Sequence, residues 1–187
     1  GSKSNSSDKE NKDGVEKVDK DGNVIKDDDG NTENDSKKMD LFTSEDGSFK
    51  IYFPGKPTLT KEPVETELGK IQMYTYMYEE SASKVFMVAY SDYPKAAIEE
   101  GNTDEMLDGA KNGFLKNLGL KTDEEKDITL NGNDGIYFKA QGAGYFTVMQ
   151  DYLVENRLYQ IGILTDQAYP SQTELDQFFK SFELVKK

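Results

Sequence analysis

The sequence predicts an α+β domain in which a mostly antiparallel sheet is covered by helices. Apolar and polar residues alternate in several runs joined by short polar turns, as half-buried strands do. Between two groups of such runs lies a stripe with apolar residues every three to four positions, and a second stripe closes the chain. Consecutive strands joined by short turns must pair antiparallel, so the helices are left to cover the sheet.

Phe49-Lys50-Ile51-Tyr52-Phe53 alternates and stops at Pro54-Gly55, a strand ending in a turn. Thr58–Glu67 follows as an extended run whose Pro63 suits a sheet edge, because proline cannot donate to a ladder. In Ile71–Glu79, Met73, Thr75 and Met77 fall on one face and Gln72, Tyr74, Tyr76 and Tyr78 on the other. Val85–Ser91 completes a hairpin across Glu80–Ser83. Asn102 precedes Glu105 by three residues, close to a capping box, and Met106, Ala110, Phe114 and Leu118 form a helical stripe that Gly119 ends. Short strands are expected at Asp127–Leu130 and Ile136–Ala140, then a hairpin of Tyr145–Val154 with Leu158–Leu164. Last, Ser171 and Glu174 cap a helix bearing Leu175, Phe178, Phe179 and Phe182.

All ten Phe and eleven Tyr lie in residues 41–187, which places the folded domain there. Residues 1–40 carry 8 Lys against 12 Asp and Glu, with only Val15, Val18, Val24, Ile25 and Met39 as apolar groups. So little apolar surface cannot offset an ordering cost of about 1–2 kcal/mol per residue, and the segment is expected to be a disordered tether. As a flexible coil its 40 residues would reach about 35 Å root-mean-square. Lys12-Asp13-Gly14, Lys20-Asp21-Gly22 and Asp28-Asp29-Gly30 repeat every eight residues and resemble fragments of calcium loops. An EF-hand counted from Asp19 would need Gly at position six and Glu at twelve, where the chain has Val24 and Gly30.

The chain has no Cys, no His and no Trp, which excludes disulfides, thiol chemistry, histidine triads and Cys/His zinc sites. A net charge of −13 opposes nucleic acid and anionic membrane surfaces. Ser81-Ala82-Ser83-Lys84 matches S-x-x-K but sits in a strand-to-strand turn without companion motifs. Gly142-Ala143-Gly144 leads into a strand, whereas phosphate-cradling loops open helices. No catalytic residues and no cofactor are expected. The candidate binding residues are Tyr74, Tyr76 and Tyr78, either core residues or an aromatic platform for a protein or small ligand. The alternative function is divalent-cation binding, by the tail or by Asp123, Glu124, Glu125 and Asp127.

Phe53-Pro54-Gly55-Lys56-Pro57, Met73–Glu79 and Met87-Val88-Ala89-Tyr90-Ser91-Asp92-Tyr93-Pro94 resemble a group of exported bacterial domains of the PsbP-like superfamily. Leu107-Asp108-Gly109-Ala110, Asn156-Arg157-Leu158-Tyr159-Gln160 and Phe178–Phe182 extend the likeness across 47–185. The resemblance implies an α/β/α sandwich around a central antiparallel sheet. Photosystem members of that superfamily are associated with metal and a membrane complex, but this chain has no histidine to serve as a ligand. Gly1-Ser2 reads as an expression remnant. A cysteine-free polar leader before a compact domain is what a bacterial lipoprotein looks like once its signal and anchoring cysteine are gone. The expectation is therefore a monomeric cell-envelope binding module that meets the membrane only through a lost lipid anchor.

Overall fold

The computed structural model describes residues 38–186. The tether assigned to 1–40, with its Asp-Gly repeat, lies outside the described residues save for its last three. Asp40 already pairs with Phe53, so the first strand begins inside that assignment.

The chain runs β1 (Asp40–Thr43), β2 (Phe49–Phe53), β3 (Thr58–Thr66), β4 (Gly69–Ser81), β5 (Lys84–Asp92), α1 (Lys95–Glu100) and α2 (Thr103–Leu118). It continues through β6 (Lys121–Leu130), β7 (Asn133–Gly142), β8 (Tyr145–Val154), β9 (Arg157–Thr165), α3 (Gln172–Phe179) and β10 (Glu183–Leu184). Seven strands form one sheet in the order β3-β4-β5-β9-β8-β7-β6, and β1, β2 and β10 form a second sheet in the order β1-β2-β10. Every pairing is antiparallel. The fold is thus mostly antiparallel sheet with few helices, as the hairpin signals predict.

The two faces of the large sheet are covered differently. Under α2 lie Leu107 and Leu115 of the helix with Ile136, Phe138, Met149, Leu153 and Leu158 of the strands. The other face packs Tyr76, Phe86, Val88, Ile161 and Ile163 against Phe49, Ile51 and Phe53 of the small sheet and Leu175, Phe178 and Phe179 of α3. A three-stranded sheet therefore takes much of the layer that the sandwich expectation gives wholly to helices. The reason is in β2: Phe49, Ile51 and Phe53 are fully buried while Tyr52 is exposed, the one-sided pattern of a strand lying on a core.

Both long helices form where their caps predict. Asn102 Oδ1 accepts from the amides of Asp104 (2.9 Å) and Glu105 (3.3 Å), and Gly119 ends α2 with φ +68°. Ser171 Oγ accepts from Glu174 N–H at 3.2 Å. The C-terminal helix stops at Phe179, however, short of Phe182. Ser181 Oγ donates to the Phe178 carbonyl at 2.6 Å and accepts the Tyr52 amide at 3.0 Å, turning the chain toward β10. Phe182 still reaches the core, against Phe49 and Tyr159.

Candidate functional site

The sequence-predicted tyrosines occupy one face of β4, as the alternation requires, but they do not form one open platform. Tyr76 is 2% exposed, held between Phe42 and Phe49, and its hydroxyl accepts the Glu45 amide at 3.0 Å. Burial raises its pKa. Tyr76 is a core residue with a tethered tip. Tyr74 and Tyr78 are half-buried. Tyr74 stacks on Tyr90 at 4.8 Å between ring centroids. Tyr78 lies over Gly55, where an added Cβ would come within 2.5 Å of its ring, so the Pro54-Gly55 turn is fitted to that ring.

Beside Tyr90 and Tyr159 sits Arg157, the first residue of β9. Its Nε and Nη2 donate to the two carboxylate oxygens of Asp92 at 2.6 and 2.7 Å, a bidentate fork. Nη1 donates to Asp46 Oδ2 at 2.5 Å and to Ser48 Oγ at 3.0 Å, and the guanidinium lies 4.0 Å above the Tyr90 ring. Burial would raise the Asp46 pKa, but the bonds from Arg157, Ser48 and Ser44 outweigh it and hold the carboxyl far below the usual carboxylate range. Arg157 thus ties the β1–β2 turn to the large sheet. Its donors are spent within the fold.

The acidic residues of β6 do not converge. Asp123 accepts from Gln141 (2.5 Å) and from the Tyr169 hydroxyl (2.6 Å), Glu124 pairs with Lys139 at 3.6 Å, and Glu125 pairs with Lys111 at 2.5 Å. Asp127 borders a shallow hollow of about 290 Å³ with Asp104 and Asp134. Among the described residues no group of three or more carboxylates is placed to hold a metal ion. Lys84 of the S-x-x-K string bonds to Glu174 at 2.7 Å, and Ser81 Oγ accepts from the Ser83 amide at 3.1 Å, so serine and lysine serve separate local structures.

What the structure does open is a cleft of about 370 Å³ between α3 and the β6-β7-β8 end of the large sheet. Tyr137 of β7 and Tyr152 of β8 form its floor, and Leu175 and Phe179 of α3 form a wall. Lys126 of β6 stands 4.5 Å above the Tyr137 ring. Gln150 Oε1 accepts from the Tyr152 hydroxyl at 2.9 Å. On the opposite rim Gln172 donates to Asp176 at 2.9 Å, and Lys180 pairs with the same carboxylate at 3.3 Å. Burial pushes Tyr152 up to about 12 and also raises Tyr137, so both phenols stay protonated; the Tyr152 proton is held by Gln150, which leaves the Tyr137 hydroxyl to face the cleft. Tyr152 is fixed from beneath by Gly135, where any Cβ would also meet the Asp151 carbonyl at 2.5 Å. The cleft therefore exposes the half-buried Tyr137 ring, the Gln150 and Gln172 amides and the Lys126 ammonium, while Tyr152, Leu175 and Phe179 lie buried behind them. Its volume falls in the range of small-ligand pockets.

No family profile matches the chain, and no curated protein matches it. Among solved structures it is similar to the cyanobacterial PsbP (CyanoP) of Synechocystis sp. PCC 6803, with a TM-score of 0.51 over 80% of this chain and 94% of that one, at 7% identity. The domain has a PsbP-like fold. It is also similar to a protein from Bacteroides thetaiotaomicron VPI-5482, at a TM-score of 0.44 and 14% identity over 79% of this chain and 48% of the other. The PsbP-like fold carries position here and no chemistry.

The cleft residues escape a reading of the sequence because each sits in an ordinary strand or helix. Tyr137 alternates with its neighbours like any strand residue, Lys126 lies in a charged run with no period, and only the docking of α3 makes a wall beside them. The one available signal is Tyr137 and Tyr152 lying in adjacent predicted strands.

Proposed function

We propose that this protein is a non-enzymatic binding module of the bacterial cell envelope, a lipoprotein whose polar leader tethers the PsbP-like domain, and that it takes its ligand in the α3/β6–β8 cleft. In this reading the domain is an α/β/α sandwich in which a small sheet replaces part of one helical layer. The observation that carries the proposal is a cleft of about 370 Å³ whose open surface joins the half-buried Tyr137 ring to amide-bearing rims. The Tyr137 ring favours the apolar face of a ligand, while Gln150, Gln172 and the Tyr137 hydroxyl suit its hydroxyl or amide groups. A short saccharide has both, so the ligand class is an uncharged glycan fragment. Tyr74 and Tyr78 lie on β4, toward the opposite end of the sheet from this cleft, and are assigned packing roles.

The test is amide NMR of the intact chain titrated with a panel of neutral oligosaccharides to millimolar concentration. Saturable shifts confined to Lys126–Ile128, Tyr137, Gln150–Tyr152 and Gln172–Lys180 are expected, abolished in Tyr137→Ala. No shift with any sugar, or shifts centred on Tyr74 and Tyr78, refutes the assignment. The same spectra with calcium test the cation alternative, including the tail.

A further inference from the structure

The face of the sheet beneath α2 holds a group that the cleft does not use. Asp151 lies between Met149 and Leu153 on β8, both part of the apolar cluster under that helix. Its exposure is 0%. Oδ2 accepts from Gln160 Nε2 at 3.2 Å, and Oδ1 finds no partner among the described residues. An ionised carboxylate there would lack most of the donors it has in water, and such a charge is not tolerated in an apolar core.

The surrounding charges do not repair this. From α2 comes Lys111, itself buried, but its ammonium is engaged by Glu125 of β6 at 2.5 Å and by Asp108 at 3.2 Å. From the β5–α1 connection comes Tyr93, a half-buried phenol whose own ionisation Asp151 opposes. From β9 comes the amide of Gln160, and from β7 the apolar Ile136, paired directly with Asp151. Burial raises the Asp151 pKa to about 7, against the smaller opposing effects of the Gln160 bond and the Lys111 charge.

We propose that Asp151 is a proton-operated latch for α2: as a neutral acid it lets the helix seat on the sheet, and on ionisation it loosens that seat. Ionisation demands either water or the third donor of the Lys111 ammonium at Oδ1, and with the helix seated neither reaches that buried atom, so α2 must shift. The domain is therefore tightest in mildly acidic surroundings and becomes more open as pH passes neutrality.

The direction follows from proton counting. A carboxyl with a raised folded-state pKa keeps its proton after the unfolded chain has lost its own, near pH 4. Its contribution to stability falls as pH climbs from there to about 7 and is level above. Asp151→Asn keeps the shape and neutrality of the acid. Urea unfolding of the intact chain and of this variant across pH 4.5–8.5 isolates the latch from all other titrating groups. The ratio of variant to wild-type folding constants should rise by up to about tenfold per pH unit to near pH 7, then level off. A ratio that stays constant across the range overturns the proposal. Carboxyl ¹³C NMR of the wild-type chain gives a test that needs no variant: the Asp151 resonance should titrate near neutrality, and a midpoint below pH 5 overturns it. Amide exchange along Leu107–Leu115, corrected for its intrinsic pH dependence, should speed up above pH 7 in wild type and not in Asp151→Asn. Equal behaviour in both would show that ionisation does not reach the helix.

Discussion

Replacing Arg157 by alanine is the sharpest single perturbation of this fold, because one side chain joins three separate segments. The fork to Asp92 acts on a carboxylate that is 48% exposed, so solvent screening holds its worth to about 0.5–1 kcal/mol. Asp46 is 27% exposed and keeps its proton off chiefly through the Arg157 bond, so losing that charged partner costs about 1.5–3 kcal/mol. Losing the contact over Tyr90 costs about 0.5–1 kcal/mol more. Because these contacts share one side chain they are not fully additive, and the expected loss is about 2–4 kcal/mol. Arg157→Lys retains a charge but not the planar fork and should lose about half as much. The assay is urea unfolding at pH 7, followed by near-UV circular dichroism, which in a chain with no tryptophan reports the packing of its tyrosines, Tyr90 and Tyr159 among them. A pH series adds an independent check. The Asp46 pKa is depressed in the folded state, so its stabilisation is present above its ordinary value of 3.8 and is lost as pH falls below it. Arg157→Ala should flatten that acid-side loss. A variant within about 0.5 kcal/mol of wild type, or a lysine variant equal to wild type, would refute the reasoning, since the bonds would then be ordinary surface contacts.

Two further predictions follow from the packing and the caps. Phe178 is fully buried between the rings of Phe53 (5.5 Å) and Phe86 (5.1 Å), so Phe178→Ala should cost about 3–5 kcal/mol in urea unfolding. Asn102→Ala removes the acceptor for two α2 amides and should cost about 1 kcal/mol, a fall in Tm of about 2–4 °C by calorimetry.

Much of the fold is legible in the sequence because local chemistry dictates it. Asn102 and Ser171 mark helix starts by satisfying free amides, and Phe49-Ile51-Phe53 marks a strand with one buried face. The reading fails where exposure erases periodicity. Residues 121–126 are strand in β6, yet Lys-Thr-Asp-Glu-Glu-Lys shows no alternation because an edge strand of this kind is solvated on both faces there. β1 and β10 are too short to show a period, and α1 carries no capping side chain. Tyr76 illustrates the limit for sites. Its position on the Tyr74–Tyr78 face is evident, but its burial depends on Phe42 and Phe49, brought over it by the small sheet. The cleft and the Asp151 latch are likewise products of which helix covers which face.

The strand order also sets a route of assembly. β3-β4-β5 is one meander and β6-β7-β8-β9 another, each closed by tight turns. Within the large sheet the β5–β9 seam alone joins residues far apart, from Asp92 beside Arg157 to Lys84 beside Thr165. Local hairpins close in about 1–10 μs, whereas the seam must wait for a long intervening segment to be gathered. Among the pairings of the large sheet the seam is the one expected to close last, and Arg157 and Asp92 stand at one end of it. The side chains that clamp the finished domain thus also stand where its two locally closed ribbons meet.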